Sequence, residues 1–149
     1  MGQGTTERLS VTRLLDINVL MALAWPQHAH RPTVNRWVAS QKTKGTLAVA
    51  TCPLTELGFV RVSMNIKDYA ADFRSAWGLL KQLVNRPEFE HCFWADDIPV
   101  LSLNPQTAPG IGPNQLTDIY LTRLAEEREG VLLTLDTGIR SPYAEIIAA

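Results

Sequence analysis

The sequence predicts an α/β fold, a three-layer α/β/α sandwich around a mostly parallel central sheet, and three observations predict it. Segments rich in apolar strand formers alternate along the chain with segments of helical period, the order expected of successive βα units. The strand-like runs, such as Val131-Leu132-Leu133-Thr134-Leu135, are apolar throughout rather than alternating, as strands covered on both faces are. Two of these runs stop on an acid, Asp16 and Asp136, and open α/β sheets bind ligands outside the carboxyl ends of their strands.

Val11 to Asp16 reads as the first strand and Asn18 to Trp25 as a short helix that Pro26 ends. Arg31 to Thr43 is helical, with Val34, Trp37 and Val38 on one stripe, and Gly45 closes it before an apolar strand over Thr46 to Ala50. Thr51 is the expected N-cap of the next helix, Pro53 suits its first turn, and Leu54, Leu57 and Val60 mark its buried side as far as Met64. Asp68 to Val84 makes a further helix with Phe73, Trp77, Leu80 and Val84 inward, stopped at Arg86-Pro87. Phe89 to Trp94 is a short strand, and the Pro- and Gly-rich stretch from Asp96 to Asn114 is irregular loop. Thr117 is expected to cap a helix to about Arg128, with Tyr120, Leu121, Leu124 and Ala125 facing the core and Asp118 in its first turn. Gly130 ends it and leads into the strand that runs to Asp136.

A chain of 149 residues is long enough to bury roughly two-thirds of its unfolded surface in one core. Residues 14–149 read as a single domain, preceded by a disordered or poorly ordered leader over residues 1–13. Met1-Gly2-Gln3-Gly4-Thr5-Thr6 fits the loose N-myristoylation pattern, but a disordered leader explains it better. No apolar stretch approaches the roughly 20 residues of a membrane span, and none has signal-peptide length near the start. Cys52 and Cys92 match no zinc or redox spacing, so two reduced, buried thiols and a cytoplasmic location are expected. The formal charge of −1 conceals an asymmetry. Nine basic residues face three acids between Arg31 and Arg86, whereas ten acids face three arginines from Pro87 onward. Such a division suits a polyanion gripped by the basic region and cations gathered by the acids, although solvated helix faces of mixed sign give the same counts.

Asp16 and Asp136 end strands, Glu56 opens the helix after one, and Asp118 opens the helix before the last. Parallel neighbouring strands bring Asp16, Glu56 and Asp136 to one edge, where Asp118 joins them if its helix start faces that way. Two carboxylates about 5 Å apart repel by about 3 kcal/mol at an effective dielectric near 20, so a cluster of four calls for protons or cations. Oxygen ligands without His or Cys select Mg²⁺ or Mn²⁺ over zinc. Asn18, Thr134 and Thr117 are the polar residues placed to orient a carboxylate or a water. Singly, each acid is equally well a helix-dipole or turn residue; their joint placement points to a site. Leu135-Asp136-Thr137-Gly138 lacks the mostly β context of an aspartic protease, and Gly110-Ile111-Gly112 lacks the strand and helix of a nucleotide fingerprint.

Four segments together resemble the PIN-domain ribonucleases, and more narrowly the VapC-like toxins of toxin–antitoxin pairs. They are Leu14-Leu15-Asp16-Ile17-Asn18-Val19-Leu20, Thr51 to Arg61 around Glu56, Thr117-Asp118-Ile119-Tyr120-Leu121, and Leu133-Thr134-Leu135-Asp136-Thr137-Gly138-Ile139. They occur in the family's order across nearly the whole chain. The resemblance implies that Asp16, Glu56, Asp118 and Asp136 are metal-binding catalytic acids, with Asn18 and Thr134 supporting them. It also implies that Arg61 contacts substrate or antitoxin. The implied protein is a Mg²⁺- or Mn²⁺-dependent endoribonuclease acting on RNA, commonly a homodimer, inhibited by a cognate VapB-like antitoxin whose C-terminal segment covers the site. Ile17 departs from the small or hydroxyl residue usual between the Asp and the Asn. Two other readings of the same crevice stand beside this one: a phosphotransfer or phosphatase domain with an aspartate nucleophile, and a non-catalytic binding module.

Overall fold

The computed structural model describes residues 11–42 and 45–148. The leader expected over residues 1–13 lies outside the described residues as far as Ser10, as does the myristoylation pattern, and Arg13 is already a strand residue. In chain order the elements are β1 (Arg13–Leu15), α1 (Ile17–Ala24), α2 (Arg31–Lys42), β2 (Leu47–Thr51), α3 (Pro53–Asn65), α4 (Phe73–Val84), β3 (Phe89–Phe93), α5 (Pro113–Glu127), β4 (Val131–Thr134) and β5 (Ala144–Ile146). The strands lie in the order β3-β2-β1-β4-β5, and every neighbouring pair is parallel.

Alternation along the strands divides the core in two. Leu15, Val49 and Leu133 pack with α1 to α4 residues such as Leu20, Val34, Phe59 and Leu83, whereas Leu14, Ala50 and Leu132 pack with Leu121, Leu124 and Ala125 of α5. The predicted sandwich is therefore present, with α5 alone among the long helices on its face. The two basic residues Arg31 and Arg86 both donate to the Leu23 carbonyl, at 3.1 and 2.9 Å, and so cap the C-terminal end of α1.

Several expected details are corrected. The fully buried residues of α3 are Thr55, Gly58, Phe59 and Ser63; Leu54 and Val60 are partly buried against the core, and Leu57 is 63% exposed. Small residues win this face because α1 lies close: Ile17 fills the space beside Gly58, and Trp25 Nε1 donates to Ser63 Oγ at 2.8 Å. The helix expected from Asp68 is broken at Ala70, in the left-handed region at φ 49°, and α4 restarts after Asp72, whose carboxylate accepts from Ser75 N. Ala76 and Leu83 are its buried residues, leaving Phe73 61% and Trp77 51% exposed. Thr51 ends β2 and Cys52 is the N-cap of α3. Likewise α5 begins at Pro113 after Gly112, whose N–H donates to Gln115 Oε1 at 2.7 Å, so Thr117 caps nothing and Asp118 lies in the second turn.

β4 ends at Thr134, two residues before Asp136. β5 has no counterpart in the sequence reading, because three half-buried residues show no period; its Glu145 is held by Arg13 at 2.7 Å. Cys52 is buried as expected, but Cys92 is exposed on the edge strand β3. Among the described residues no helix is long and apolar enough to cross a membrane.

Candidate active site

The carboxyl ends of β1 and β4, adjacent and parallel, bring Asp16 and the Thr134–Asp136 segment together. Asp16 follows β1 as the N-cap of α1, and its Oδ1 accepts from Ile17 N at 2.8 Å. Its Oδ2 accepts from Thr134 Oγ1 at 2.6 Å. Thr134 is the hub of the network: its hydroxyl also accepts from Asn18 Nδ2 at 3.3 Å and Asp136 N at 3.0 Å. Asn18 Oδ1 in turn accepts from Leu135 N at 3.2 Å, so this one side chain ties the first helix to the segment after β4. Burial raises the pKa of Asp16 above the usual carboxylate value, against the hydrogen bonds from Thr134 and Ile17, and the Asp136 charge adds to the rise.

Asp118 meets these two from the opposite face of the sheet. Its carboxyl is pushed up to about 7, first by burial, then by the charges of Asp16 and Asp136 and a hydrogen bond to Asp136. Asp136 Oδ1 accepts from Gly138 N at 2.8 Å, a turn that fixes the carboxylate at the chain bend. Three of the four predicted acids are thus brought into mutual electrostatic contact. Glu56 is hydrogen-bonded to the end of β2. Its Oε2 accepts from Thr51 Oγ1 at 2.6 Å, and with that single hydroxyl proton spent, His91 Nε2 donates into Thr51 Oγ1 at 2.7 Å. Among the described residues no three His, Cys, Asp or Glu side chains are grouped tightly enough to hold a metal ion.

Thr117 lines a separate cleft of about 270 Å³ with Leu54 and Tyr120, away from the acids, and Arg61 is exposed on α3. Thr51 and His91 were missed as site residues; His91, one strand residue, carries no signal in sequence, and Thr51 looks like a cap. Asp118 and Asp136 also form one wall of a cavity of about 630 Å³, completed by the 102–111 segment, α5 and the turn to Ser141. Its cations are Arg123 and Arg140, and no residue between Arg31 and Arg86 lines it. The basic residues of the Arg31–Arg86 region thus lie outside this cavity.

No protein-family model matches the chain. It is 41% identical over 127 residues to ribonuclease VapC38 of Mycobacterium tuberculosis, an alignment that covers 85% of this chain and 86% of that protein. The chain belongs to the VapC ribonucleases. Ribonuclease VapC39 of the same organism is 32% identical over 130 residues, covering 87% of this chain and 91% of its own. Ribonuclease VapC29 is 32% identical over 136 residues, covering 91% and 94%. Membership in the VapC ribonucleases bears out the resemblance carried by the four segments and makes the chain a nuclease. It does not favour the phosphotransfer reading.

Within this VapC fold the Ile17 departure has a structural counterpart. A Cβ at position 58 would overlap Ile17 Cδ1, so a bulky residue after Asp16 is matched by a glycine on α3. The chemistry around Asp118 is that of a hard divalent cation's partners: the neighbouring acidic groups are all carboxyls, and burial, then the charges of Asp16 and Asp136, drive the Asp118 carboxyl towards neutrality.

Proposed function

We propose that this chain is the toxin of a toxin–antitoxin pair, a Mg²⁺- or Mn²⁺-dependent endoribonuclease that hydrolyses RNA phosphodiester bonds in the cytoplasm. The observation that carries the reading is the convergence of Asp16, Asp118 and Asp136 at the carboxyl ends of β1 and β4. Asp16, Asp118 and Asp136 would hold the cation, with Glu56 as the fourth acid from the neighbouring β2 edge. A bound divalent cation supplies charge stabilisation at the phosphate and a lowered pKa for an attacking water.

The chain's own residues do the rest. Thr134 and Asn18 hold Asp16 in one orientation and couple it to the Asp136 turn, the supporting role that typically changes activity 10- to 100-fold when removed. Thr51, backed by His91, turns one oxygen of Glu56 away and leaves the other for the site. Exposed apolar residues on α3 and α4, which pack against one another, support a homodimer: Leu57, Met64, Phe73 and Trp77. Arg61, exposed on α3, is a contact for the VapB-like antitoxin or for RNA.

Asp16→Asn and Asp136→Asn should each abolish RNA cleavage and growth inhibition while circular dichroism stays unchanged, and EDTA should silence the parent chain until Mg²⁺ or Mn²⁺ is returned. Full activity in both variants refutes the assignment.

A further inference from the structure

We infer that the cavity beside Asp118 and Asp136 is a nucleotide-reading site that takes an unpaired guanine-bearing nucleotide next to the cut and rejects adenine. The inference rests on the ribonuclease reading and adds its base specificity. At about 630 Å³ the cavity lies within the roughly 300–1,000 Å³ of small-ligand clefts, and it opens directly onto two of the three clustered acids. Leu103, Ile111, Ile119 and Ile139 give it apolar walls for a base face. Arg140, in no ion pair among the described residues, supplies a free cation for the adjoining phosphate.

The polar lining sorts by what each group has left to offer. Asn104 Oδ1 accepts from Gln106 N at 3.0 Å and Gln115 Oε1 from Gly112 N at 2.7 Å, so the amide N–H groups of both remain for a ligand. The hydroxyls of Ser102, Thr107 and Thr122 are each spent as donors, to the carbonyls of Pro99, Asn104 and Asp118, at 2.7, 2.8 and 2.6 Å, which leaves them as acceptors. Guanine matches both sets. Its O6 and N7 accept side by side, and its N1–H and N2 amino group offer three N–H donors to the three hydroxyl acceptors, whereas adenine has one amino group, no ring N–H on that edge, and a donor at N6 where O6 would be. Single-stranded RNA is the form in which those edges are free to be read.

Asn104→Asp with Gln115→Glu tests the site, because each acid keeps the acceptor that caps its own turn and loses only the N–H donors. The probes are single-stranded RNAs of one sequence bearing guanine, inosine or adenine at one position. Binding is measured by fluorescence anisotropy to the uncleaving Asp16→Asn chain, and cut sites of the parent chain on a randomised RNA are read by end sequencing. The expected result is about tenfold preference for guanine over adenine, as two or so hydrogen bonds would give, with inosine between. In the double variant that ratio should fall towards one, while added negative charge weakens all three RNAs alike. A ratio the double variant leaves unchanged, or a ratio of one in the parent, overturns the inference. Cleavage without base preference therefore defeats this proposal alone, whereas base preference without cleavage defeats the ribonuclease reading instead.

Discussion

Asp118 shows how a single carboxyl records the charge of its surroundings. Its pKa is raised from 3.8 to about 7, chiefly by burial and then by Asp16 and Asp136, so the folded chain holds the proton more tightly than the unfolded chain does. That contribution to stability is complete below the ordinary carboxylate value and is lost as pH rises through about 7. Because the group is only half-buried, the loss is discounted to about 1 kcal/mol. In cation-free buffer the chain should therefore melt a few degrees lower at about pH 8 than at about pH 5.5, with Asp16 adding in the same direction. Asp118→Asn should shrink the difference, and Mg²⁺ at the higher pH should raise the melting temperature of the parent chain but raise that of the variant less. A melting temperature independent of pH over this range would contradict the three-carboxylate contact. The identities of the acids were legible in sequence, because each stands beside a strand end or on a helix with turn signals. The anchoring of Glu56 was not: Thr51 reads as a helix cap, and His91 reaches Thr51 only through the pairing of β2 with β3.

The glycines and caps at the ends of elements decide how the helices meet the sheet. Gly130, between α5 and β4, lies where an added Cβ would come within 2.5 Å of the Thr12 carbonyl oxygen and 2.8 Å of Trp94 Cη2. A backbone atom has no rotamer by which to retreat, so Gly130→Ala should cost about 1–3 kcal/mol, seen as a lower urea midpoint with an unchanged slope. An unchanged midpoint would show that β1 and β4 separate more easily than this packing indicates. Gly58 differs, because only the end of the Ile17 side chain stands in the way. The number and order of the long helices were read from period and punctuation, but not the starts of α4 and α5 nor the buried faces of α3 and α4. Leu57 and Trp77 are strongly apolar, and local pattern assigns such residues to the core; Gly58, Ser63 and Ala76 took those places because close helix contact rewards small side chains.

At the scale of the whole molecule, several large apolar residues are left exposed on two helices that pack against one another. They are Phe73 and Trp77 on α4 and Leu57 and Met64 on α3, and the proposed homodimer would cover them. Light scattering on the eluting protein should give twice the monomer mass, and Phe73→Glu with Trp77→Glu should return the monomer mass without unfolding the chain. A parent chain that elutes as a monomer at micromolar concentration removes the dimer. The basic and acidic halves of the chain also take on a different meaning in three dimensions. Arg31 and Arg86 are used to cap α1, while the cavity beside the acids draws its cations from Arg123 and Arg140. By itself the sequence determined the α/β class and the order of helices and strands as far as β4, and it nominated the acids Asp16, Glu56, Asp118 and Asp136, because hydrophobic period and turn residues are properties of neighbours along the chain. Only the tertiary structure decided which helix faces are buried, that Asp16, Asp118 and Asp136 meet while Glu56 turns to Thr51, and where the cavity opens. Those outcomes depend on groups far apart along the chain, 118 residues for the Asp16–Thr134 hydrogen bond, and such pairings exist only once the sheet has set its strand order.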